Sequence, residues 1–416
     1  MKKKILLVLL ILVVLLGIVG VYAYFATDAF KSNKDIFFSY IINDTQNEKL
    51  EEYMKKIEST PYTNKGETSI KVNGSNASSS IEDETIQMLN NSKITFEGKT
   101  DNSKKLAEQT MTINLSQGIN IPVKIRRDDE TVGIQSNLLY SKFIALKNDN
   151  LKTLLERFGA DAENIPDKID FEKGQFTEEE LKTLKDRYTS ILYDNLEEKS
   201  FTKQKVGDQT IINLDVSDKK CAEILTKILE TLRNDDIIQN KVAEMADGED
   251  FKQNIDDAID EIKNIETSED NTLNIKLYIQ AKDIKKVEIT LKDTEDSKLV
   301  GTIEISKEEN ENDLEYIVKV NAESEEDGKI AIDLKIQYKN IKALDNVEEN
   351  YEINIVTSDT EEGDINMSLK YNNTKTFTTD LEIEGINNDN ATILNNATDE
   401  ELDNLLTSIY ENLGLY

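Results

Sequence analysis

Among the 416 residues, the groups best able to do chemistry are scarce: the chain has no His, no Trp and one Cys, Cys221. Without imidazole there is no Ser-His-Asp triad, no Cys-His pair and no HExxH zinc site. A lone thiol cannot close an internal disulfide, complete a four-thiolate zinc site or hold an iron–sulfur cluster. Cys221 falls in step with Ile224, Leu225 and Ile228 on the apolar face of a helical pattern. That spacing reads as a small buried hydrophobe, free Cys being among the most buried residue types. The competing reading is a thiol whose pKa is lowered by the helix N-terminus.

Carboxylates, by contrast, are abundant, with 82 Asp+Glu. Glu323, Glu325 and Asp327 ahead of Gly328 begin like a calcium loop, but Leu334 stands where the bidentate acidic ligand belongs. Asp327-Gly328 between two alternating segments is a hairpin turn instead. Asp359, Glu361, Glu362 and Asp364 around Gly363 read the same way. No two acids are singled out as a glycosidase pair. Gly98, Gly118 and Gly133 are isolated, so no phosphate-cradling loop is present. The sequence assigns no catalytic, cofactor-binding or metal-ligating residue, and no enzyme activity or cofactor is expected.

Only 50 Lys+Arg offset those acids, leaving a net charge of −32. Such a surface repels phosphate and releases no counterions on binding, which excludes nucleic acid as a partner.

Lys2-Lys3-Lys4 precede an uncharged run from Ile5 to Ala26. As a helix those residues would extend roughly 33 Å, enough for a hydrocarbon core of about 30 Å. A cleavable signal has a shorter apolar stretch and small residues at its end, whereas Tyr22, Tyr24 and Phe25 are bulky. The expectation is an uncleaved single-pass anchor with the lysines in the cytoplasm and Thr27–Tyr416 outside the cell. The membrane is thus an expected partner through that helix, with a lipid or another envelope protein as the expected partner of the outer portion.

The elements that must position any site follow from periodicity. Helical spacing groups Ile36, Phe37, Tyr40 and Ile41 after Ser32 and Asp35, then Leu50, Tyr53, Met54 and Ile57 before Pro61. Two-residue alternation marks strands at Ile94–Phe96, Met111–Leu115, Ile119–Ile125, Val132–Ile134 and Leu139–Leu146. Leu151, Leu154, Leu155 and Phe158 form a helix face that Gly159 ends. Thr177 with Glu180 forms a capping box, as do Thr398 and Glu401. Phe201–Val206 and Ile212–Val216 form a hairpin across Gly207-Asp208, and three amphipathic helices follow, carrying Cys221, Ile238 and Phe251. Over 272–384 about eight further strands alternate, ending with Leu381 and Ile383.

This order predicts an α+β fold: an N-terminal transmembrane helix, then two curved antiparallel β-meander sheets packed on amphipathic helices, open-barrel-like. The expected divisions are a tail at 1–4, the anchor at 5–26, a helical stalk at 27–60, a first meander with helices at 61–198, and a second unit at 199–416. An outer-membrane barrel is not expected, since aromatics are only 6% and supply no girdles.

Phe30-Lys31-Ser32-Asn33-Lys34, the stretch from Leu139-Tyr140 to Gly159, and Thr398-Asp399-Glu400-Glu401-Leu402 resemble a family of single-pass surface proteins of low-GC Gram-positive bacteria, a family without assigned function. A more distant similarity is to LolA/LppX-like lipoprotein carriers, whose unclosed barrel curls around helices and holds acyl chains. This chain lacks their lipobox Cys and carries two meanders, so no binding residue is carried over. The one-sided sheets with amphipathic helices, a layout that leaves a concave apolar cleft, lead to the expectation of an extracytoplasmic binding or interaction protein with an apolar or lipid ligand in a curved sheet. A structural or accessory envelope protein without a pocket is the alternative, and an acidic-residue hydrolase a more remote one.

Overall fold

The computed structural model describes residues 32–43, 47–75, 83–115, 118–159, 167–168, 175–245, 248–264, 267, 272–292, 300–324, 328–359 and 363–414. The chain divides into two compact units, each assembled from separate stretches. Unit 1 holds 1–48, 171–308 and 317–331; unit 2 holds 49–170, 309–316 and 332–416.

In unit 1 the helices are α1 (Asn33–Asn43), α5 (Glu178–Asn195), α6 (Asp218–Asn234), α7 (Asp236–Met245) and α8 (Gly248–Lys263). Its strands are β7 (Phe201–Val206), β8 (Gln209–Ser217), β9 (Thr272–Gln280), β10 (Asp283–Lys292) and β11 (Val300–Glu309), with most of β12 (Leu314–Ser324). Local chemistry starts these elements where the sequence places them. Ser32 and Asp35 bond reciprocally at the head of α1, Asp35 N donating to Ser32 Oγ at 3.1 Å. The Thr177 box closes, with Glu180 N on Thr177 Oγ1 at 3.2 Å and Thr177 N on Glu180 Oε2 at 2.7 Å. Gly207, at φ 64°, turns the β7–β8 hairpin as a two-residue loop requires. The alternating apolar residues of β8 and β9 then face one way, and Ile36, Phe37 and Phe38 of α1 bury against Phe201, Ile212 and Leu214. A smaller cluster joins Leu225 and Leu229 of α6 to Ile259 and Ile262 of α8.

Asp235, between α6 and α7, is fully buried and satisfied from two sides. Its Oδ1 accepts from Ile237 N at 3.1 Å and Ile238 N at 3.4 Å, capping α7, while Oδ2 accepts from Tyr188 Oη at 3.1 Å and Arg187 at 2.5 Å. Burial, then the neighbouring Asp235 carboxylate, pushes the Tyr188 phenol well above its usual range. Asp235→Ala is expected to cost roughly 2–3 kcal/mol, the loss of a cap plus an orphaned buried hydroxyl. Urea unfolding should show it, with Asp235→Asn recovering the cap share; a loss under about 0.5 kcal/mol would contradict this assignment.

Unit 2 holds α2 (Glu48–Ser59), α3 (Asp83–Asn90), α4 (Leu151–Arg157) and α9 (Asp399–Leu413). Its strands are β1 (Tyr62–Ser75), β2 (Lys93–Asp101), β3 (Leu106–Asn114), β4 (Asn120–Arg127), β5 (Thr131–Ser136), β6 (Tyr140–Lys147), β14 (Asn346–Asp359), β15 (Gly363–Phe377), β16 (Ala391–Ile393) and most of β13 (Gly328–Lys339). Gly159, at φ 76°, ends α4, and the Thr398 capping box opens α9.

The expected pair of separate sheets is not what forms. The strands make one open, mostly antiparallel sheet in the order β16-β6-β5-β4-β3-β2-β1-β15-β14-β13-β12-β11-β10-β9-β8-β7, with β16 parallel to β6. The joint is β1 against β15, paired from Tyr62↔Phe377 to Ser75↔Asp364. Alternation tells which face of a strand is buried but not which strand lies beside it. Two meanders with free edges gain a full ladder by sharing it, and an unpaired edge is a liability.

Two further expectations are corrected. Leu381 and Ile383 form no strand: the chain after Phe377 alternates because it lies along the sheet, with Arg126 bonded to Glu384 at 3.0 Å and Ile386 packed on Phe143 and Ala145. The single-pass membrane localisation is not supported either, because no helix among the described residues is long and apolar enough to cross a membrane. Ile5–Ala26, on which that topology rested, lies outside the described residues.

Candidate functional site

Register decides what each face of the unit 2 sheet presents. Directly opposed residues of antiparallel strands project to the same side. Following the pairs, Ile353 and Ile355 of β14 align with Leu369 and Met367 of β15, and these with Ile70 and Val72 of β1. Ile94 and Phe96 of β2 align with Ile113 and Met111 of β3, then with Ile121 and Val123 of β4. Ile125 continues to Ile134 of β5 and Ile144 of β6, and Val132 to Leu146. One apolar face therefore crosses eight strands, roughly 34 Å at about 4.8 Å per strand gap. The other face is polar and ion-paired over β14, β15, β1 and β2, with Lys93–Glu67 at 3.0 Å and Lys370–Glu352 at 3.1 Å, whereas at β6 Phe143 and Ala145 on that side are buried under Ile386. On that side burial raises the Glu108 carboxyl, but Lys124 and Arg126 outweigh it and hold the group below its usual range.

At one place the apolar face is covered. Tyr53 of α2 is wholly buried against Leu314, Ile341 and Val347, and its hydroxyl donates to Glu349 Oε1 at 2.8 Å. Asn373 donates to Glu349 Oε2 at 2.8 Å and Lys375 to Oε1 at 2.7 Å, so this buried carboxylate is fully partnered. Beside it Phe96 stacks on Tyr371 and Tyr371 on Tyr351, with ring centroids 5.4 and 5.2 Å apart. Burial pushes the Tyr371 phenol up to about 12, and burial likewise raises Tyr53 and Tyr351.

Elsewhere the face is uncovered among the described residues. Ile134 is 52% exposed, Val132 44%, Ile365 41% and Met367 38%. These exposed side chains form two patches, one on β5 and one on β15, with half-buried aliphatic residues on the strands between them, and an exposed apolar patch of sufficient size marks an interaction site. This surface was only partly legible in the sequence. Its strands other than β1 were read from their alternation, whereas Tyr62–Ser75, with only Ile70 and Val72 as aliphatic residues, was not read as a strand. The row itself exists only through the cross-strand register.

Cys221 lines a small apolar cavity in unit 1, with Leu192, Leu214, Ile224, Ile228 and Ile275. The cavity is about 50 Å³, far below the roughly 300 Å³ of a ligand pocket. Burial pushes the Cys221 thiol up to about 12, which removes the thiolate that nucleophilic chemistry needs. A larger recess of about 850 Å³ opens between α5 and α6; it is lined mostly by polar side chains, among which Arg187 pairs with Asp235 and Asp236 and Lys227 bonds to Asn195. Among the described residues no three Cys, Asp or Glu cluster as a metal site. Residues 325–327 and 360–362 of the two acidic turns lie outside the described residues.

No family model matches the chain. No curated protein matches it either. Among solved structures, that of Pseudomonas aeruginosa OccK2 (OpdF) is similar over 76% of this chain and 97% of its own, at 6% identity and a TM-score of 0.13. A score that low carries no argument about fold or activity, and neither resemblance drawn from the sequence is addressed by it.

Proposed function

We propose that the chain is a binding protein rather than an enzyme, and that it engages an apolar ligand on the uncovered face of the unit 2 sheet. One observation carries this reading: exposed aliphatic side chains on that face, Val132, Ile134 and Leu146 on β5 and β6 and Ile365 and Met367 on β15. An amphipathic sheet gains stability by covering its apolar side, and here α2 covers only the portion around Tyr53. The small size of the unit 1 cavity favours an open surface over an enclosed carrier.

The test is binding of a neutral solvatochromic dye to the purified chain. The native chain should bind with a blue shift. The double substitution Val132→Asp with Ile134→Asp should weaken binding about tenfold, roughly 1.4 kcal/mol, with circular dichroism unchanged because both positions are exposed. A native chain that binds no dye, or variants that bind it equally, would defeat the proposal.

A further inference from the structure

We infer that the ligand of this face is a single-chain anionic amphiphile, its head group held by Arg127 and its tail lying along β4; the inference rests on the apolar-face reading above. The chain has five arginines. Four are ion-paired: Arg126 to Glu108 and Glu384, Arg157 to Asp399, Arg187 to Asp235 and Arg233 to Asp256. Arg127 is exposed, and its side chain makes no ion pair or hydrogen bond among the described residues.

Its place in the register is what gives this meaning. Arg127 is the last residue of β4 and lies opposite Val132, so it projects from the apolar face at its rim. Ile125, Val123 and Ile121 follow on the same face of the same strand, flanked by Met111 and Ile134. From Arg127 to Ile121 the strand runs roughly 20 Å at about 3.4 Å per residue. A guanidinium at one end of an aliphatic track of that length is complementary to a carboxylate or sulfate on an alkyl chain.

The three acids that follow would be the obvious partners, yet each is engaged elsewhere. Asp128 accepts from the backbone of Glu130, Thr131 and Ile386. Asp129 pairs with Lys105 at 2.8 Å, and Glu130 with Lys147 and Lys168. Each of these carboxylates thus has partners other than Arg127. A second copy of the chain is a poorer occupant, since a net charge of −32 makes two copies repel.

The experiment compares dodecanoate, dodecanol and dodecyltrimethylammonium below their micellar concentrations by isothermal titration of the full chain. The overall charge of −32 by itself favours the cation. The inference expects the reverse order, with dodecanoate bound at least about tenfold more tightly than either. Arg127→Gln should bring dodecanoate to the level of dodecanol and leave dodecanol unchanged, whereas Ile134→Asp should weaken both. Equal binding of dodecanoate and dodecanol, untouched by Arg127→Gln, would overturn the head-group assignment while the apolar face stood. Binding of none of the three would overturn the apolar-face reading with it. A dimer in sedimentation that Ile134→Asp dissociates, without amphiphile binding, would make the second copy the occupant and overturn both.

Discussion

Lys375→Met is expected to destabilise unit 2 by about 3–5 kcal/mol, the range found when one partner of a buried ion pair is removed. Glu349 is 5% exposed, and three donors converge on its carboxylate. Lys375 is the only cation among them, and its ammonium also lies 5.6 Å from the ring centroids of Tyr53 and Tyr62. Removing it leaves a carboxylate with two neutral donors and no counter-charge. Adding Glu349→Gln to Lys375→Met removes the orphaned charge while keeping an acceptor for the Tyr53 hydroxyl, and should recover at least about 1 kcal/mol. Urea unfolding followed by near-ultraviolet dichroism of the surrounding tyrosines reads both variants. A single variant within about 1 kcal/mol of the parent would show that Lys375 is not what holds Glu349 in place.

Gly66→Val is expected to cost at least about 3 kcal/mol, the upper part of the range for overpacking. Gly66 sits in β1 between Phe96 of β2 and Asn373 of β15. A Cβ there would stand 2.0 Å from the Asn372 carbonyl oxygen and 2.6 Å from Phe96 Cζ. The ring contact could give way, since Phe96 could turn from its stack on Tyr371. The carbonyl could not, because it belongs to the β1–β15 ladder that joins the two meanders. Trimming the ring should therefore fail as a cure: Phe96→Leu combined with Gly66→Ala should regain less than half of what Gly66→Ala alone loses. Full recovery in the double variant, measured by urea unfolding, would place the constraint in the ring and not in the ladder.

Most local elements were legible from residue spacing. The capping boxes at Thr177 and Thr398, the Gly207-Asp208 hairpin and the Gly159 helix stop depend on side chains within a few residues of one another, so the sequence contains all their causes. Leu381 and Ile383 show the limit. Their alternation was genuine, but a segment lying on a sheet alternates as well as one paired within it, and only the absent ladder distinguishes them.

The candidate site divides along the same line. The sequence by itself determined that catalysis by imidazole or paired thiols is excluded, that the strands are amphipathic, and that Cys221 keeps helical company with apolar residues. Only the tertiary structure decided that β1 pairs with β15, so that one sheet and not two carries the apolar faces. It likewise placed Glu349 under Tyr53 and set Arg127 beside an aliphatic track with no carboxylate partner among the described residues. The reason is physical. Periodicity is set by backbone geometry within a strand, whereas pairing joins residues as far apart as Tyr62 and Phe377, whose proximity is fixed only when the whole sheet closes its hydrogen bonds.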